Sequence, residues 1–246
     1  MTATAAPRFL HVANGTCTTD LIVAAGIPGA VSIWADPLYE GPVPGGLSDA
    51  ELLDVRAGFL GSPESEDFTG TMLDMRRWRQ VIDAHDTYDE LVLWFEHDLF
   101  DQLALVQLLS WLQGRLPESK PISLICIGSF PGRDRFKGLG ELRPEELVSL
   151  LGGRQRVTGA QYSLAEDAWA AFRSATPEAL DRLRQQYTAA LPYLAAALQR
   201  FLQEYPWTVD GLSRSERRLM RLAEPGPLDL LPCCRGVGNG HGLVAA

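Results

Sequence analysis

One pattern recurs in this chain and constrains its fold more than any other: a short, continuous apolar run that stops at small or ionisable residues and gives way to a helical pattern. It occurs at Arg8–Ala13, Ala30–Trp34, Glu90–Phe95 and Ile122–Ile127. A strand that is apolar at nearly every position has to be covered on both faces, which favours parallel pairing under helices on either side. Strands that alternate with helical segments predict an α/β fold with crossover connections. The expectation is a Rossmann-like, mostly parallel sheet of about four or five strands with flanking helices, followed by a mainly helical C-terminal region.

The intervening segments carry helix signals. Thr18 or Thr19 can cap a helix to Ala25, which GIPG ends, and Ser48-Asp49-Ala50-Glu51 is a capping box that opens a helix toward Phe59. Met72, Met75, Trp78 and Ile82 share one side of a helix over Thr71–Ala84, and Leu99–Gln113 is apolar almost throughout. Such a helix must be deeply buried, or face a partner if the chain itself does not cover it. Beyond Phe130-Pro131-Gly132-Arg133 the texture changes, with helices expected over Pro144–Leu151, from Ser163, from Thr176, over Pro192–Tyr205 and from the capping box at Ser213. No strand is expected among them. The resulting division is an α/β domain over 1–140, a helical region over 141–224 packed on it or forming a small second domain, and an irregular, Gly-rich tail over 225–246.

Charge separates the two halves. The chain of 246 residues has a net charge of −9. Residues 1–149 hold 11 Lys+Arg against 22 Asp+Glu, and residues 150–246 hold 11 against 9. The acidic N-terminal region argues against nucleic acid lying across it. The basic segment GLSRSERRLMRLAEPG could open a helix-turn-helix, but no recognition helix follows it. No stretch is long and apolar enough for a membrane span, and MTATAAPRFLHV has no leader pattern, so a cytoplasmic protein is expected. Cys17, Cys126, Cys233 and Cys234 lack metal-ligand spacing.

In an open parallel sheet, ligands sit outside the carboxyl ends of the strands, where loops and helix N-termini converge. All four ends here carry polar or small residues. Asn14-Gly15-Thr16 follows the first strand, and its glycine and the helix N-terminus suit a phosphate or carboxylate; it also reads as plain turn chemistry. Asp36 and Glu40 flank a proline-pinned turn and could hold a divalent cation or supply an acid and a base. Asp36 alone is equally a turn initiator.

Glu96-His97-Asp98 is the strongest cluster. Asp98 is explained as a helix cap, with Asp101 in the first turn, and Gln102 as a polar residue of that turn. Glu96 is not so explained, because a carboxylate at the end of an apolar strand needs a partner or solvent. Glu96 and His97 together could tune each other toward neutrality, as general acid–base work requires. Arg133 follows the fourth strand, where it reaches an anionic group or pairs with nearby acids. His11, inside a strand, reads as a core histidine. GxSxG, HExxH, CxxC and EF-hand motifs are absent, which removes several large enzyme classes.

HVANGT, WADPLYEGPVPGGLS, DELVLWFEHDLFDQLALVQLL and SLICIGSFPGRDRFKGLGELRPEEL resemble, in this order, the bacterial proteins that carry the domain of unknown function 1835. The resemblance covers about residues 8–148 and runs more loosely through GLSRSERRLM. Members of that family continue into a winged-helix-like ending, whereas this chain departs into PCCRGVGNGHGLVAA. The family name implies no activity and transfers no catalytic residue.

Three functional classes follow. An enzyme would use Glu96 and His97 as acid and base, or Asp36 and Glu40 as cation ligands, on a phosphorylated or nucleotide-like anionic small molecule held at Asn14, Gly15, Thr16 and Arg133; hydrolysis or group transfer suits these parts. A sensor would bind the same ligand without chemistry and pass the change to the helical half. In a scaffold, the strand ends would only cap helices and pair with one another.

Overall fold

A computed structural model describes residues 6–61, 66–186 and 188–223. The expected tail, with Cys233, Cys234 and His241, lies outside the described residues. Strands β1 (Phe9–Ala13), β2 (Ala30–Ile33), β3 (Glu90–Glu96) and β4 (Ile122–Ile127) form one sheet with β5 (Gln155–Arg156), in the order β2-β1-β3-β4-β5. The first four are parallel, and β5 pairs antiparallel with β4, Leu124 opposite Gln155. The protein is thus α/β, with a mostly parallel five-stranded sheet and helices around it. β5 brings the sheet to five strands, within the expected four or five, but it comes from the half where only helices were expected: two polar, exposed residues carry no apolar run, and it is the edge of β4 that recruits them.

The helices are α1 (Thr16–Ala24), α2 (Asp49–Leu60), α3 (Glu66–Asp83), α4 (Leu99–Leu112), α5 (Pro144–Leu151), α6 (Gly159–Phe172), α7 (Glu178–Arg184), α8 (Leu194–Leu202) and α9 (Arg214–Ala223). Alternate side chains of each strand serve opposite faces of the sheet. Ala13, Val92, Trp94 and Ile125 meet Ile22 of α1 and Leu147 of α5 on one face. Leu10, Val12, Leu93 and Phe95 meet α4 on the other. β2 is the exception to double coverage, an edge strand with Val31 36% exposed.

Ser48 closes the expected capping box with Glu51. α4 is buried on nearly every side, and its outer face is covered by α6 and α8, whose Ala165, Ala168, Leu194 and Leu198 join the core of the sheet. The apolar helix is therefore covered within the chain. At the open end of that face, Arg79 of α3 makes two 2.7 Å bonds to Asp49 of α2 and lies 4.6 Å over the Trp34 ring. Trp34 in turn donates to Gln107 of α4. His11 is fully buried and accepts from the Trp94 indole at Nδ1, while its Nε2 donates to the Pro28 carbonyl. That pairing suits the neutral ring, and burial lowers its pKa. Among the described residues no helix is long and apolar enough to cross a membrane.

Candidate functional site

The strand order reverses between β1 and β3. The chain leaves β1 through α1 onto one face of the sheet and leaves β3 through α4 onto the other, so the two connections part and open a crevice at the strands' carboxyl ends. The residues at that point are Asn14-Gly15 and Glu96-His97-Asp98.

Asp98 caps α4, accepting the Asp101 amide at 2.9 Å. Asp101 does more than occupy the first turn. Fully buried, it accepts the Glu96 backbone amide at 2.8 Å through one oxygen and the Asn14 side-chain amide through the other, so it ties the ends of β1 and β3 together. Gln102, also buried, donates at 2.6 Å to the Glu96 carbonyl. The Glu96 carboxylate is 3% exposed and accepts the Leu139 amide at 2.6 Å. Gly138 passes directly over it.

These carboxyls stand in little water and close to one another. Burial pushes Glu96 up to about 7, helped by the charges of Asp98 and Glu141 and opposed by the Leu139 amide. Burial, then Asp98 and Glu96, hold Asp101 well above the ordinary carboxylate range. Burial also takes the neighbouring Cys126 thiol up to about 12, which keeps it protonated and unreactive. Glu96, Asp98 and Asp101 can each offer an oxygen within 4.8 Å of the others. Such an oxygen set suits a hard divalent cation, which would relieve their repulsion.

His97 is half-buried between the rings of Phe136 and Tyr193, at centroid distances of 6.4 and 6.1 Å, and its buried Nδ1 has no hydrogen-bond partner among the described residues. Gly15 precedes α1 in extended backbone, and a side chain built on it would meet open space. Among the described residues no side chain caps α1, and no acidic residue lies in its first turn, so Gly15 and the exposed Thr16 front amides left open by the helix start.

Asp36 and Glu40 are placed otherwise. Asp36 is buried against Arg56 of α2, itself fully buried, with Nη2 2.7 Å and Nε 3.0 Å from the carboxylate. Arg56 also donates to the carbonyls of Pro37, Glu40 and Pro42, so one guanidinium organises the whole turn. The Glu40 side chain is exposed. This turn meets the switch-point residues through Tyr39, whose ring stands edge-on to Phe100 at 6.2 Å. Arg133 pairs with Glu146 of α5 at 2.7 Å.

The fold therefore gathers Asn14, Gly15, Glu96 and His97 at the switch point, sets Asp36 and Glu40 around Arg56, and turns Arg133 toward α5. Arg56 and the Gly138-Leu139 backbone were not singled out by sequence reasoning, and Asp101 was read only as an acid of the helix's first turn. Arg56 left a trace, as a lone cation between Leu52, Leu53 and Ala57, on a face that should be apolar. The role of Asp101 in joining β1 to β3 left none, because an acid in a helix's first turn is ordinary.

A groove of about 520 Å³ lies beside the turn that Asp36 and Glu40 flank, between Leu38, Pro42 and Val43 and the residues Phe172, Arg173 and Tyr205, and its lining does not include Glu96, Asp98 or Asp101. Comparison of the chain with protein-family models, with curated proteins and with solved structures returned no match.

Proposed function

We propose that this protein binds a small molecule with an anionic group at the carboxyl ends of its Rossmann-like sheet and carries out acid–base or metal-assisted hydrolysis or group transfer there. One observation carries the reading: a buried carboxyl, Glu96, pushed up to about 7, stands at the switch point beside a second buried acid. A general acid–base group works best when it titrates near the working pH, and structural carboxylates at strand ends do not need to. In this reading Glu96 exchanges protons with the ligand, and Asp101 and Gln102 hold Glu96 in place. His97 lines the approach, and the amides at Gly15 and Thr16 receive the anionic group. The resemblance to the domain of unknown function 1835 is compatible with this reading, since the strand-end residues are the words on which it rests.

A sensor is the second reading. Tyr193, immediately before α8, packs on His97, so a ligand that moves His97 also moves the helical half.

The test is a thermal-shift screen with nucleotides, phosphorylated sugars and divalent cations, each alone and in pairs. A ligand at about 100 times its Kd stabilises by about 2.7 kcal/mol, roughly 5–10 °C in a chain of this size. Glu96→Gln should weaken that shift or abolish turnover. An undiminished shift with no turnover in either protein favours the sensor, and an equal turnover in both removes Glu96 from the chemistry.

A further inference from the structure

The groove of about 520 Å³ runs between the β2–α2 turn and the helical half, and its volume falls in the range of small-molecule sites. One wall is aromatic. Phe172 at the end of α6, Phe201 in α8 and Tyr205 beyond it form a row, with successive ring centroids 5.0 and 5.8 Å apart. The other wall is the proline-pinned turn, which contributes Leu38 and Val43. Arg56 holds that turn by the carbonyls of Glu40 and Pro42, so the wall is set before any ligand arrives.

Arg173 joins the two walls. Its Nε donates to the Pro44 carbonyl at 2.9 Å and its Nη2 to the Leu47 carbonyl at 3.0 Å, while the guanidinium lies 5.4 Å over the Trp169 ring. A Cβ built on Gly45 would stand 2.8 Å from the Arg173 carbonyl oxygen, so a larger residue there would push the turn off the helix. A guanidinium carries five N–H donors. Two are spent on the turn, and the others meet no acceptor among the described residues. Arg173 is half-buried, yet no carboxylate among the described residues pairs with it. Asp49, whose charge reaches it, is already bound by Arg79. Burial is accordingly the main influence on Arg173 and lowers its pKa.

We propose that this groove is a binding site for a carboxylic acid with an apolar body, the carboxylate on Arg173 and the body between the aromatic row and the residues Leu38 and Val43. Arg173 is the one charged side chain in the lining, and neither Asp49 nor Glu178, the acids felt at Arg173 and Tyr205, belongs to it. A single, partly desolvated cation complements a single negative charge. A phosphate monoester carries nearly two, and no second cation lines the groove to meet the other. The fixing of the turn accounts for two donors of Arg173; it does not account for a cation set beside aromatic rings with no acid on it. This site is separate from Glu96 and goes beyond the function proposed there.

Isothermal titration of the full chain with 4-phenylbutyrate, and with its neutral amide 4-phenylbutanamide, tests the assignment. The acid should bind in the millimolar range or tighter, as a ligand of this size in a preformed apolar site does. It should bind about tenfold or more tightly than the amide, the worth of a hydrogen bond to a charged group. Arg173→Gln should bring the acid down to the affinity of the amide. That change also loosens the turn, so a second variant is needed: Ala175→Trp keeps Arg173, fills the groove from an exposed position in its lining, and should abolish binding of both compounds. In the wild-type protein with labelled methyl groups, the ring protons of the bound acid should give nuclear Overhauser effects to Leu38 and Val43. Glu96→Gln should bind the acid as the wild type does. The site is overturned by an absence of saturable binding, by equal affinity for acid and amide, by binding retained in Ala175→Trp, by ring contacts that omit Leu38 and Val43, or by loss of binding in Glu96→Gln. Dimerisation in sedimentation that Ala175→Trp abolishes and the acid does not displace also overturns it, since the groove would then take a second copy of the chain.

Discussion

At the scale of single residues, the protein buries its charges in two different ways. Asp36 has an arginine of its own, and removing one partner of such a pair strands the other in a dry site. Arg56→Met should lower stability by about 3–5 kcal/mol, measured by urea denaturation, while Asp36→Asn with Arg56→Met should be milder because no charge is left unpaired. Equal losses in the two variants would show that the carbonyls Arg56 serves matter more than its charge. Glu96 pairs with no cation among the described residues, and its folded pKa is raised from 4.5 to about 7. The folded chain then keeps a proton that the unfolded chain releases. The stability from this group is complete below the unfolded value and is lost as pH rises through the folded one. Over about pH 5 to 8 the stability of Glu96→Gln relative to wild type should improve by on the order of 3 kcal/mol. Parallel curves of unfolding free energy against pH would contradict it. Asp36 could be named from the sequence as a polar residue at a strand end, but its partner lies 20 residues on, in a helix whose packing only the fold sets.

At the scale of elements, local signals and short-range chemistry agree closely. β4 and α5 fall where the apolar run and the proline start place them, and Ser48, Asp98 and Ser213 meet the helices they were expected to open. β3 runs one residue further than its apolar run, to Glu96, because the ladder to β4 continues to Ile127. That single residue changes the site: Glu96 is paired as strand and also buried as side chain. α6 begins at Gly159, earlier than the expected start at Ser163, because Thr158 and Gln161 form a capping box of their own. β5 was illegible because a two-residue polar strand is defined by its neighbour.

At the scale of the whole molecule, the helical half completes the sheet. α4 is apolar all round, and without α6 and α8 its outer face would be a large exposed apolar surface. A chain ended after about residue 157 should therefore aggregate or melt without a cooperative transition, in contrast to the full chain, as calorimetry would show. A sharp transition in the fragment would mean that the sheet and its nearer helices suffice.

The sequence by itself determined the order of the four main strands and the helices, the parallel class of those strands and the set of polar strand ends, because periodicity and capping act over a few residues. The tertiary structure decided which of those ends meet. Strand order is a matter of long-range pairing, and it places β1 beside β3 while leaving β2 at the edge. Glu96 therefore shares a buried network with Asn14 and Asp101, while Asp36 is held by Arg56. The cover over Glu96, a backbone amide and a glycine from beyond β4, is likewise a contact that no local pattern could announce.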